Sequence, residues 1–189
     1  MRVALIASGG GSNAGALMEA MQAPDFGADP VLVLSNNEDA GVLARARSFG
    51  VASEVVDHRP FKGDREAFDA KIGQVLSAYD VEVVCLAGFL RIMSEDFVRS
   101  WEGRLLNIHP SLLPKYPGLN THQRAIEAGD KEAGCTVHMV IPELDAGPIL
   151  GQRNVPIHAD DTADTLAARV LKEEHILYPE MLRSFVENR

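Results

Sequence analysis

The strongest constraint on this chain is the change of apolar pattern along its first two-thirds. Short runs, "VALIAS" at 3–8, "VLVLS" at 31–35, "ASEVV" at 52–56, "VEVVCLA" at 81–87 and "RLLNI" at 104–108, alternate with helical spacing near 13–21, 38–49, 64–79 and from Ser94. Runs this short, rich in valine and leucine and bounded by turn formers, read as buried strands. Strands separated by helices need crossovers of one hand, so the pattern predicts an α/β, Rossmann-like, mostly parallel sheet with helices on both faces. Beyond "HPSLLPKYPG" and a helix near 121–128 the pattern changes. "CTVHMVI" at 135–141 alternates with period two, and "ILGQRNVPI" at 149–157 follows the turn "PELDAGP". These predict an antiparallel hairpin extending the same sheet. A last helix starts near Thr162, and Pro179 is expected to kink or end it because proline lacks an N–H.

Composition narrows the function classes. The formal net charge of −9, with no cluster of Lys and Arg, disfavours a nucleic-acid surface. It also means that an anionic substrate must be held by local donors, since the global field repels it. No apolar run approaches a membrane span, and Met1-Arg2 leads directly into a strand pattern, so a cytoplasmic protein without membrane contact is expected. Cys85 and Cys135 lie in apolar strand-like runs and read as reduced core residues. His109, His122 and His138 lack the spacing of a zinc site, and no metal is expected.

"ASGGGSNAGALMEA" joins the first strand to the first helix. Gly9, Gly10 and Gly11 permit a tight turn, and the free N–H groups at the helix start, with the Ser12 hydroxyl, suit an anion. The lysine of an NTPase loop is missing. Gly9, Gly11 and Ala14 fit the looser dinucleotide pattern, but the second strand ends in Ser35, Asn36 and Asn37, with Glu38 and Asp39 expected inside the next helix. A mononucleotide or sugar phosphate fits better than a dinucleotide.

In "LLNIHP", Asn107 and His109 share one strand face and project at its carboxyl end, where open parallel sheets bind ligands. Pro110 biases His109 to extended geometry, and Pro114 and Pro117 stiffen the exit. An amide donor beside a histidine that can carry charge suits a developing oxyanion, which points to acyl chemistry. Asp145, in the turn "PELDAGP", could orient the imidazole and favour its charged form.

Six segments, "SGGGSN", "AGFLRIMS", "RLLNIHPSLLPKYPGLNTH", "CTVHMV", "ELDAGPIL" and "EEHILYP", together resemble the phosphoribosylglycinamide formyltransferase family of folate-dependent formyltransferases along essentially the whole chain. The resemblance implies one formyltransferase domain over 1–189, with a phosphate-binding half (1–100) and a catalytic, folate-binding half (101–189). It implies formyl transfer from 10-formyltetrahydrofolate to glycinamide ribonucleotide in purine synthesis, by a monomer or weak homodimer acting on small molecules. Asn107, His109 and Asp145 look like the family's catalytic trio. Gly11, Ser12 and Asn13 would hold the ribonucleotide phosphate and Glu174 its ribose. Arg65, Leu90, Arg91, Ile92, Met93, Val140, Ile141 and Leu144, with Asn107, would line the folate pocket. Asn120 departs from the family, whose members often carry histidine there. A deformylase using water as acceptor and a non-catalytic nucleotide-binding module are the alternatives.

Overall fold

A computed structural model describes all residues, Met1–Arg189. One seven-stranded sheet runs in the order β3-β2-β1-β4-β5-β6-β7. Strands β1 (Arg2–Ile6), β2 (Asp29–Ser35), β3 (Ser53–Val55), β4 (Val83–Leu86) and β5 (Leu105–His109) are parallel. The hairpin of β6 (Glu132–Met139) and β7 (Ile149–Pro156) joins β5 antiparallel, as its sequence pattern predicts.

Strand alternation divides the apolar residues between two cores. Val3, Leu5 and Ala7 face one side, packed by α1 (Ser12–Ala20), α2 (Gly41–Ser48) and α6 (Ala163–Glu187); Ala4 and Ile6 face the other, covered by α3 (Arg65–Ala78) and α4 (Glu95–Ser100). Each fully buried side chain the size of leucine contributes about 1.5–3 kcal/mol. Helix starts carry side-chain caps: Asp64 accepts from Ala67 N, Ser94 from Phe97 N, and Thr162 exchanges bonds with Thr165. Cys85 and Cys135 are free and buried, and burial pushes both thiols up to about 12.

Three local expectations need correction. Glu38 and Asp39 lie in the turn before α2, because Ser35 Oγ accepts from Asn37 N and Asn37 Oδ1 accepts from Asp39 N, closing local turns. Strand β6 starts at Glu132 and ends at Met139; Val140 N still donates to Leu105 O of β5 (2.8 Å), and Ile141 lies beyond the strand. Helix α6 passes through Pro179 and ends at Glu187. One missing N–H is outweighed by the residues around it: Leu177, Tyr178 and Leu182 are buried, and the Tyr178 hydroxyl reaches the carbonyls of Leu86 (3.1 Å) and Leu106 (3.2 Å). No helix is long and apolar enough to cross a membrane.

Candidate active site

The site is built at the carboxyl edge of β5. In β5 the side chains of Leu106 and Ile108 belong to the core under α1 and α6, so Asn107 and His109 face the α3 and α4 side. The antiparallel register sets His138 of β6 opposite Asn107 and Thr136 opposite His109, on the same face. Buried Thr136 holds the proline loop: its hydroxyl donates to Ser111 O (2.6 Å) and accepts from Leu113 N (3.0 Å).

Asp145 comes from the turn between β6 and β7. Its Oδ2 lies 3.4 Å from His109 Nδ1 and accepts from Gly118 N at 2.8 Å; its Oδ1 lies 3.8 Å from His138 Nε2. Asp145 holds a left-handed backbone, φ 52°, which aspartate tolerates better than most residues. Gly147 permits the turn, since a Cβ there would overlap the carbonyl oxygen of Met139. His109 Nε2 is 2.9 Å from the carbonyl oxygen of Tyr116. Nδ1 thus faces the Asp145 carboxylate and Nε2 the Tyr116 carbonyl, both oxygens that only accept.

His138 is a site residue that the sequence reading set aside as a failed metal ligand. Its Nδ1 sits 2.9 Å from Met139 O, so Nε2 is left to accept from Asn107 Nδ2 at 3.1 Å. Burial holds its pKa below the usual histidine range, against smaller opposing effects from Met139 and Asp145, which keeps the ring neutral. One Asn107 N–H is thus fixed by His138, leaving the other for a ligand.

The glycine loop stands at the end of β1, one strand past β4, where the strand order reverses direction. Gly11 caps α1 with φ 65°, and a Cβ there would overlap Val42 of α2. Val42 N donates to Gly9 O (3.0 Å), and Arg45 Nε donates to Gly10 O (2.7 Å), so α2 clasps the loop. Ser12 opens the helix. Asn13 Nδ2 donates to Glu174 Oε2 at 2.6 Å, joining α1 to α6, and Asn13 Oδ1 is buried without a partner. Burial pushes the Glu174 carboxyl above its ordinary value, with the Asn13 bond opposing.

With this geometry in place, relatives can be compared. Residues 1–182 match the formyl transferase family. The chain is 44% identical to the Escherichia coli (strain K12) phosphoribosylglycinamide formyltransferase, over 100% of its own length and 89% of that protein's. The chain belongs to the formyl transferase family. A phosphoribosylglycinamide formyltransferase from Brucella melitensis superposes on this chain with a TM-score of 0.93 at 51% identity, covering 98% of this chain and 95% of the other. This chain is also 49% identical, over 98% of its length, to the Drosophila melanogaster trifunctional purine biosynthetic protein adenosine-3, of which it spans 14%.

The remaining candidate site residues lie on the α3 and α4 side. Arg65 is the first residue of α3 and is exposed. Between β4 and α4, Leu90 and Ile92 are 76% and 58% exposed, Arg91 stacks 5.4 Å above the Phe68 ring, and Met93 is buried in the core. Leu90 N donates to Ser8 Oγ (2.9 Å), which ties this segment to the glycine loop. Val140 and Ile141 are half-buried past β6, and Leu144 is exposed. Asn120 adopts φ 57° at the start of α5 (Thr121–Glu127), a left-handed position that asparagine accepts readily. A cleft of about 570 Å³ opens beside the proline loop, lined in part by Ser111, Tyr116, His122 and Asp130, and none of the trio lines it. No three His, Cys, Asp or Glu side chains gather as metal ligands would.

Proposed function

We propose that this formyltransferase carries the formyl group of 10-formyltetrahydrofolate to the amine of glycinamide ribonucleotide, in the cytoplasm, as a monomer or weak homodimer. The observation that carries the reading is the approach of Asp145 to His109 within 3.4 Å beside Asn107, at the carboxyl edge of a parallel sheet. The names of the relatives support the acceptor and a place in purine synthesis.

The amine's lone pair forms the new C–N bond while the formyl C=O electrons move to oxygen. Collapse restores the carbonyl and breaks the bond to N10 of the folate, which takes up a proton as the amine gives one up. The free N–H of Asn107 Nδ2 donates to the oxyanion and the protonated His109 stabilises it through its positive charge, a kind of interaction whose loss costs about 100- to 1,000-fold in rate. Asp145 orients the imidazolium and offsets its charge. Gly11, Ser12 and Asn13 hold the phosphate at the start of α1, and Glu174 receives the ribose. Arg65, Leu90, Arg91, Ile92, Met93, Val140, Ile141 and Leu144 line the folate pocket. In this reading residues 1–100 supply the phosphate loop and 101–189 the catalytic groups, and the Asn13–Glu174 bond joins the two.

The deciding assay supplies 10-formyltetrahydrofolate with and without glycinamide ribonucleotide and follows tetrahydrofolate release. Release that depends on the acceptor supports transfer. Release without it supports hydrolysis, and no release under either condition refutes catalysis of both kinds.

A further inference from the structure

Asp69 sits one turn into α3 with a side chain only 1% exposed, and nothing in the chemistry above uses it. A buried carboxylate is costly unless something demands it. Its Oδ2 accepts from the backbone N of Ser94 at 2.5 Å, and its Oδ1 is buried with no partner. Ser94 is the N-cap of α4 and ends the segment from Gly88 that carries Leu90, Arg91, Ile92 and Met93. The other end of that segment is tied by Ser8 N to Gly88 O (3.0 Å) and by Leu90 N to Ser8 Oγ. Asp69 is therefore the far anchor of a short loop that has no ladder of its own. Arg65 lies one helical turn before Asp69 on the same face, and Arg91 stacks on Phe68, the residue next to it. Burial pushes the Asp69 carboxyl above its ordinary value, opposed by its bonds to Ser94 and, less strongly, by Arg65 and Arg91 through space.

We propose that Asp69 is a positioning residue for the formyl donor: its side-chain oxygen pins residue 94 and so fixes the 88–94 segment. The donor's role rests on the formyl-transfer reading. The anchor itself does not, because it concerns the loop alone.

Two variants separate anchor from charge. Asp69→Ala removes the acceptor for Ser94 N–H; Asp69→Asn keeps an oxygen there and removes the charge. In Asp69→Ala, amide exchange across 88–94 should accelerate, and KM for 10-formyltetrahydrofolate should rise about tenfold or more while KM for glycinamide ribonucleotide stays within about twofold. Asp69→Asn should restore most of the donor affinity, to within about threefold of wild type. Unchanged exchange at 88–94 in the alanine variant overturns the anchor. Faster exchange with both KM values rising together overturns the specific role and leaves general loosening. An asparagine variant as impaired as alanine overturns the hydrogen bond as the agent, and it serves alone if the alanine variant does not fold. Wild-type protein that turns over no 10-formyltetrahydrofolate refutes the formyl-transfer reading and the donor role with it, whatever the exchange shows.

Discussion

Replacing Asp145 with asparagine removes a charge and almost no volume. At the observed 3.4 Å, attraction between Asp145 and an imidazolium at His109 amounts to about 5 kcal/mol at an effective dielectric of about 20. Desolvation of the two groups, both under a tenth exposed, offsets part of this, so roughly 3–5 kcal/mol is at stake when charge develops on the formyl oxygen. The Asp145→Asn variant should therefore lose about 100- to 5,000-fold in kcat. Gly118 N keeps an acceptor in asparagine, so the loop should hold and both KM values should stay within about twofold of wild type. Steady-state release of tetrahydrofolate, with each substrate varied in turn, measures all three constants. Asp145→Ala also strips Gly118 N of its partner and should lower the melting temperature, which asparagine should not. An asparagine variant within about tenfold of wild-type kcat would show that the carboxylate's charge is not what makes His109 effective.

Three further outcomes test the structure elsewhere. Tyr178→Phe removes a fully buried hydroxyl from two strand carbonyls and should cost about 1–3 kcal/mol, read as a lower midpoint in urea at unchanged slope; an unchanged midpoint contradicts those bonds. Glu174, raised in the folded state above an ordinary 4.5, binds its proton more tightly folded than unfolded, so its contribution is complete below 4.5 and declines as pH rises through the folded value. Glu174→Gln should thus melt higher than wild type at neutral pH, with the gap closing toward pH 4, and a gap independent of pH refutes this. Gly147→Ala would press a Cβ onto Met139 O, costing about 1–3 kcal/mol and moving Asp145, so both melting temperature and kcat should fall; a fully active, equally stable variant refutes the close approach.

The sheet, its parallel core and its terminal hairpin are legible because strand periodicity and helix periodicity differ. So is the pairing of Asn107 with His109, which needs only period two within one strand. Asp145 is legible as a turn residue, but not its reach to His109, which depends on where the hairpin folds back. His138 was missed for a related reason. Its place opposite Asn107 is a matter of register between β5 and β6, which counting along "CTVHMV" does not supply. Asp69 was missed although helical spacing sets it on the buried stripe of Ile72 and Leu76; only the arrival of residue 94, 25 positions later, explains an acid there. At Pro179 local backbone chemistry predicts a kink or an end, and the apolar residues on both sides of it carry the helix on to Glu187, so the end is ruled out.

The pattern that folds β5 also aims its chemistry. Leu106 and Ile108 fill the core beneath α1 and α6, so a slip of one residue would turn them toward the α3 side and drive Asn107 and His109 into that core. Losing two such burials costs about 3–6 kcal/mol before the desolvation of the imidazole and amide is counted. Register in this strand is therefore specified by hydrophobic burial alone, without help from the catalytic groups. On the opposite face His109 is buried, and its desolvation is offset by the oxygens of Asp145 and Tyr116 that its ring nitrogens face. Asp145 and His138, arriving on the hairpin, then meet groups whose direction the core has already fixed.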